Sequence, residues 1–556
     1  MTKTVRIKCL NLNKSFFIER GTSLQQIAKN LNIQLPHPIL GAMVNNQIRE
    51  LSFEVYNPKT VEFIDITHKD GIRMYIRGLS FLLYAAVRDL FPEARLRIDH
   101  SVSKGFYCKM YNVYNPPSID DIFQLGEKMR QLVEQDIPIT QHKEETEDVI
   151  EFFEQHGLTD KVDLLRHRGQ FYSTYYTLKE HIGKFYGFMV PSTGYLSVFD
   201  LNKYYNGMLL QIPNQQNPKE VQQLVEQKKM FEIFREFSQW TQILNITNVS
   251  DLNNATHNGD AENLIKVSEA LHEKKIAQIA DQIAEQKNNV KIVLISGPSS
   301  SGKTTFSKRL AIQLLVNGIT PLNLSLDHYF VDRDKTPLDE NGEYDFEALE
   351  ALDIELFNKH LQELFEGKKV SIPKFEFYSG KRLYNGDNLK MNEDNILIVE
   401  GIHGLNPQLT HLINEKAKFK IYVSALTNIN IDDQTRIPTT DNRLIRRIIR
   451  DYRYRNYSAR DTIARWDSVR RGEEKHIFPY QEEADVMFNS ALLYELAVLK
   501  PYAEPILLEV QPNQTEYSES NRLLKFFSFF NPIQQSDEIP PTSIIREFLG
   551  GSSFTY

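Results

Sequence analysis

The chain has 556 residues, too many for one hydrophobic core, and reads as three or four domains. A hydrophobic content of 41%, a charged content of 25% and a net charge of −8 exclude a disordered chain and any general pull toward nucleic acid or anionic membrane. Two cysteines, Cys9 and Cys108, exclude a disulfide framework and a zinc cluster; with no signal-peptide core at the start and no run near the roughly 18 apolar residues of a membrane span, a cytoplasmic protein with no membrane or DNA partner is expected.

The segments TVRIKCL and KSFFIER predict a strand pair around NLN. TSLQQIAKNL predicts a helix capped by Thr22 or Ser23. ILGAMVNNQIREL predicts two strands turning at Asn45-Asn46, and TVEFIDI another strand. This order, over residues 1–68, resembles the TGS domain, a ubiquitin-like β-grasp module. Residues 69–225 mix helices and strands. There, LSFLLYAAVRDLFPEARLRIDHSVSKGFYCKMYN resembles the second N-terminal domain of threonyl-tRNA synthetases, an α+β editing domain. In that family the site uses an H-x-x-x-H pair on the helix and a later cysteine and histidine. Here the pair falls on Phe81 and Ala85, and KFYGFMVPSTGYLSVFDL holds neither Cys nor His. The resemblance therefore implies the fold without the editing chemistry and without zinc.

Residues 226–288 predict a helical linker, with Leu264, Val267, Leu271, Ile279 and Ile283 near one face and His272 as a core or surface residue rather than a ligand. A fragment from about Ala261 onward is expected to act alone. Over residues 289–510 strands alternate with helices. The predicted strands are KIVLIS, PLNLSL, NILIVEG, FKIYVSA, ADVMFNS and PILLEV; the helices include DIELFNKHLQELFEG and DNRLIRRIIRDYRY. This alternation predicts a mostly parallel α/β sheet with ligands beyond the strands' carboxyl ends. Residues 511–556 form a C-terminal extension in which LLKFFSFFNP packs into a core.

The stretch GPSSSGKTT, comprising Gly297, Pro298, Ser299, Ser300, Ser301, Gly302, Lys303, Thr304 and Thr305, fits G-x-x-x-x-G-K-[ST] between a strand and a helix. The glycines let backbone N–H groups face phosphate, the helix adds its positive end, Lys303 reaches the outer phosphates and Thr304 can ligate Mg²⁺. ATP and Mg²⁺ are the implied cofactors. Two predicted strands end in Asp327 and Glu400, carboxylates able to deprotonate a hydroxyl and to hold Mg²⁺. An arginine-dense stretch from Arg436 to Arg471 reads as a mobile helical lid over phosphates, with Arg447 and Arg450 as its functional members, or, since Asp441, Asp451, Asp461 and Asp467 are interleaved, as a salt-bridged surface helix with about half of its arginines structural.

GPSSSGKT, LDHYF, GEYDFEALEALD, IPKFEF, VEGI and RRIIRD occur in that order, and the set resembles the uridine kinase and phosphoribulokinase family of P-loop kinases. That resemblance implies Asp327 as the base on the acceptor hydroxyl, with Lys303 and Arg450 serving phosphate. It implies Glu400 with Thr304 for Mg²⁺, Glu347 with Arg447 on ribose hydroxyls, and Phe346, Phe375 and Phe377 around a base. Arg460 falls near the family's lid position. Gly380 and Phe375 stand where uridine kinases have a base-reading histidine and tyrosine, so the base is left open.

The expected architecture is an α/β P-loop kinase domain behind β-grasp and α+β synthetase-like domains. The expected activity is transfer of the γ-phosphate of ATP to the 5′-hydroxyl of a ribonucleoside such as uridine or cytidine. Two alternatives stay open: a nucleotide- or RNA-sensing regulator with the P-loop as a switch, and a kinase of another hydroxyl substrate. RNA binding by the N-terminal half and homo-oligomerisation are left open.

Overall fold

A computed structural model describes residues 4–340, 342–376 and 378–555. Thr4–Cys9 and Lys14–Glu19 pair antiparallel across the NLN turn. Thr4–Cys9 also runs parallel to Lys59–Ile64, and Gly41–Val44 and Gln47–Arg49 complete a five-stranded sheet. Helix Leu24–Asn30 packs on it, capped by the Ser23 hydroxyl, which accepts from the Gln26 N–H.

The next region is built on helix Lys69–Leu90 and an antiparallel sheet ordered Asp200–Tyr204, Gly207–Gln211, Gly105–Tyr111, Arg95–Val102. Phe81 and Ala85 are fully buried, and Phe81 lies 5.1 Å, ring to ring, from Phe185. Met189 joins the same core. The positions compared with an editing site are thus filled by apolar packing.

Residues 228–285 form three helices, Lys228–Ile243, Val249–His257 and Ala261–Glu285. They are no loose linker. Ile276, Ile279, Ala280 and Ile283 pack on Phe306, Leu310 and Leu314 of helix Lys303–Val316. Val267 and Leu271 are only partly buried; Ser268, Glu269 and His272 take the inward positions instead. The inward stripe is polar in the middle, which an apolar-spacing argument does not register.

Five parallel strands follow, ordered Thr320–Ser325, Asn395–Glu400, Ile292–Ser296, Lys418–Ser424, Val486–Asn489. Alternate residues bury on opposite faces: Val293 and Ile295 toward helix Lys303–Val316, Ile292 and Leu294 toward Phe357, Tyr329 and Phe330. The chain order reverses on either side of the central strand Ile292–Ser296, which is where such sheets bind ligands. The segment PILLEV is not a strand. It ends helix Glu495–Leu508, which contains Pro501 and Pro505. Each proline removes one helical hydrogen bond, and burial of Leu496, Leu499, Ala503 and Leu507 at helical spacing holds the helix together.

Candidate active site

The loop after Ile292–Ser296 is shaped by close approach. A Cβ on Gly297 would stand 1.9 Å from the Val423 carbonyl oxygen, so only glycine fits there. Ser300 and Gly302 take positive φ, +59° and +83°, turning the loop into helix Lys303–Val316. Ser300 and Ser301 are buried beneath it, with the Ser301 carbonyl accepting from Ser490 Oγ at 2.5 Å. Lys303 Nζ donates to the Pro298 carbonyl at 3.1 Å. Burial holds its ammonium below the usual range, while Glu400 and Asp327 work against that.

Sheet register brings the strand-end groups together. Glu400 pairs with both Ser325 and Ile295. Its Oε1 accepts from Ser325 Oγ at 2.8 Å and lies 3.5 Å from Thr304 Oγ1. The same Ser325 hydroxyl accepts from the Asp327 N–H at 3.3 Å, at the start of the turn Leu326–Tyr329. Burial and the neighbouring Asp327 push the Glu400 carboxyl above the usual range, and Lys303 opposes them. A buried carboxylate beside a threonine hydroxyl, with Asp327 adding negative charge nearby, favours a bound cation.

Glu347 lies against helix Ala459–His476, where a Cβ on Gly472 would come within 2.3 Å of the Glu347 Cβ. Next to Gly472, Glu473 is fully buried. It accepts from the Ser299 N–H at 3.1 Å and pairs with Arg443 and Arg470. Arg447 Nη1 donates to Ser299 Oγ at 2.9 Å. Arg450 pairs with Asp451 at 2.8 Å, and the positive field of Arg450, aided by burial, lowers Arg455 to about 10.

The structure corrects three expectations. Helix Thr439–Tyr454 is a support rather than a lid: Arg443 and Arg446 are 1% and 0% exposed, donating to the carbonyls of Ser299 and Ser300. Arg460 pairs with Glu516 at 3.3 Å; it stands roughly 18 Å along its helix from Gly472, twelve residues at 1.5 Å each. Phe375 turns into the core against Phe330, 5.6 Å away, so it offers no open face to a base. Phe346 is 38% exposed. Phe377 lies outside the described residues. Ser325, Arg443, Arg446, Arg455 and Glu473 were not singled out as site residues from sequence. The i,i+3 pair Arg470–Glu473 has the spacing of a surface ion pair, so no local signal marks Glu473 as a loop contact.

A phosphate-binding loop on the central strand, flanked by two strand-end carboxylates, defines a P-loop nucleotide-binding domain. Within the chain, residues 292–493 match the model of the Phosphoribulokinase / Uridine kinase family. The N-terminal region is similar to threonine–tRNA ligases: 26% identical over 183 residues to that of Acetivibrio thermocellus, and 29% over 191 residues to that of Polynucleobacter asymbioticus. Each match covers 33% of this chain but only 28% and 29% of those proteins, so the chain spans less than a third of their length. Among solved structures, a "possible uridine kinase" from Bacillus stearothermophilus is 17% identical with a TM-score of 0.25, covering 38% of this chain and 97% of that one. D-glycerate 3-kinase from Cryptococcus neoformans is 12% identical with a TM-score of 0.22, covering 48% and 89%.

Proposed function

We propose that the chain is an ATP-dependent phosphotransferase that moves the γ-phosphate to the 5′-hydroxyl of a ribonucleoside. The observation that carries this reading is the meeting of Lys303, Thr304, Glu400 and Asp327 at the carboxyl ends of three adjacent parallel strands. The P-loop N–H groups and Lys303 would hold the outer phosphates. Thr304 and Glu400 fit Mg²⁺, which when bound would neutralise charge on the transferred group. Asp327 would accept the acceptor's hydroxyl proton as that oxygen bonds to phosphorus and the bond to ADP breaks. Arg447 and Arg450 would face the phosphates.

For the acceptor, Glu347 can accept from two vicinal hydroxyls with its two oxygens, and Phe346 offers an aromatic face. Asp327→Asn should keep ATP affinity and lower kcat by roughly 10²–10⁴-fold, the usual size of a lost general base. Near-normal turnover in that variant removes Asp327 from the role.

A second reading, a kinase of an anionic alcohol such as a sugar phosphate, is favoured by one feature. Arg333 covers Gly380: its Nε lies 2.8 Å from where a Cβ there would stand, and its N–H donates to the Gly380 carbonyl. By the family resemblance Gly380 falls where a base is read, and a guanidinium beside that position would suit an anion.

A further inference from the structure

The end of the chain runs back to the P-loop. Ser543, Ile544, Ile545, Phe548 and Leu549 are buried. Ile544 and Phe548 belong to the core that includes Phe306 of the P-loop helix. The Ile544 Cγ2 lies 2.5 Å from where a Cβ on Gly302 would stand, and Phe548 lies under the Arg446 guanidinium at 5.1 Å. Between these anchors, Glu547 Oε2 accepts from the Thr305 hydroxyl at 2.6 Å and from the Thr305 N–H at 3.3 Å. Ser543 Oγ donates to Glu269, and Lys308 donates to the Thr555 carbonyl.

Thr305 closes the GPSSSGKTT stretch and lies in the first turn of a 14-residue helix. Its N–H and hydroxyl are the donors that a nucleotide phosphate oxygen takes in such a loop. A carboxylate and a phosphate cannot share them, since two anions at contact distance repel. Glu473 also accepts a P-loop N–H, yet it is neutralised by Arg443 and Arg470 and acts as a strut. Glu547 differs: among the described residues it has no ion-pair partner. Its Oε2 is aimed at Thr305 of the P-loop.

We propose that residues 543–549 are an autoinhibitory latch, in which Glu547 competes with nucleotide phosphate for Thr305 and must withdraw when ATP binds. The proposal rests on the kinase reading of the site. It is tested on the full-length chain by calorimetric titration with ATP and Mg²⁺, comparing the natural protein with Glu547→Gln. Glutamine keeps the shape and an accepting oxygen but removes the charge. The variant should bind ATP roughly 5–30-fold more tightly, the range expected from removing a competing charge. In the natural protein, ATP should raise amide hydrogen exchange across residues 543–549. Equal or weaker binding by the variant overturns the latch, weaker binding marking Glu547 as a support of the loop. Unchanged exchange with ATP bound overturns it as well. If neither protein binds ATP, the kinase reading itself falls and the latch with it.

Discussion

Burial, with Glu473 and Asp345 nearby, pushes the Glu347 carboxyl up to about 7 against the pull of Arg447. Below that pH it is protonated and loses accepting capacity toward hydroxyls. The acceptor KM should therefore rise roughly tenfold from pH 8 to pH 6, following the ionised fraction. A KM flat across that range removes Glu347 from the acceptor site. The stability sign is opposite to that of a paired carboxylate. With its folded pKa above the unfolded value, Glu347 costs stability as pH rises through about 4.5 to 7. Glu347→Gln should accordingly melt higher than the natural protein at pH 8 and alike at pH 4, while losing most of its preference for ribonucleosides over deoxyribonucleosides. At this scale Lys303, Thr304, Asp327 and Glu400 were legible, because each stands in a motif or at the end of an apolar strand. Glu473 and Glu547 were not. They lie more than 170 and 240 residues from their P-loop partners, Ser299 and Thr305, and nothing local marks them.

Helix Ala459–His476 sets one wall of the site, and its fit there depends on Gly472. A methyl at that position would meet the Glu347 Cβ at 2.3 Å, so helix or loop must shift. Gly472→Ala should raise the acceptor KM more than the KM for ATP, since the displaced group is Glu347; equal effects on both would contradict this. The buried Arg443–Glu473 pair ties this helix to Thr439–Tyr454 and to the Ser299 backbone. Arg443→Met leaves Glu473 short of its main partner at full burial. It should cost about 3–5 kcal/mol in denaturant unfolding and weaken ATP binding with it. The five strands of the parallel sheet were readable from apolar runs, as was helix Ile354–Phe365. PILLEV misled because Pro505 reads as a boundary, whereas packing of the residues around it sustains the helix.

Across the whole molecule, buried charge joins the two halves. Asp433 accepts from Arg95 and Arg97, and the Ile98 N–H donates to its carbonyl at 2.8 Å. Lys161, 1% exposed, donates to Gln434 at 2.6 Å and lies 3.4 Å from the buried Asp432. Arg73 and Arg522 share Glu519, with Asp70 and Asp441 completing the network. A fragment starting near Ala261 would strand Asp432 and Asp433 without these cations, which argues against the independence expected from sequence. Lys161→Met should cost about 3–5 kcal/mol and lower the melting temperature of the full chain. A melting curve identical to the natural protein's would show that the halves are not coupled through this contact. These joints were invisible in the sequence because Arg95 and Lys161 lie 338 and 273 residues from their partners Asp433 and Gln434, and no local pattern links them. Similarly, Asp89 accepts from His181 at 2.6 Å and pairs with Lys128 at 2.7 Å, so this acidic group is engaged within the synthetase-like region.

The most direct measurement is made on the full-length chain with ATP and Mg²⁺ against a panel of ribonucleosides, deoxyribonucleosides, sugars and sugar phosphates, scored by ADP release and product mass. The predicted result is a 5′-monophosphate formed from a ribonucleoside, with its 2′-deoxy counterpart poorer by roughly 10–150-fold in kcat/KM, the worth of one lost charged hydrogen bond. A phosphorylated sugar phosphate with no nucleoside product would contradict the acceptor, and no phosphorylated alcohol of any kind would contradict the kinase.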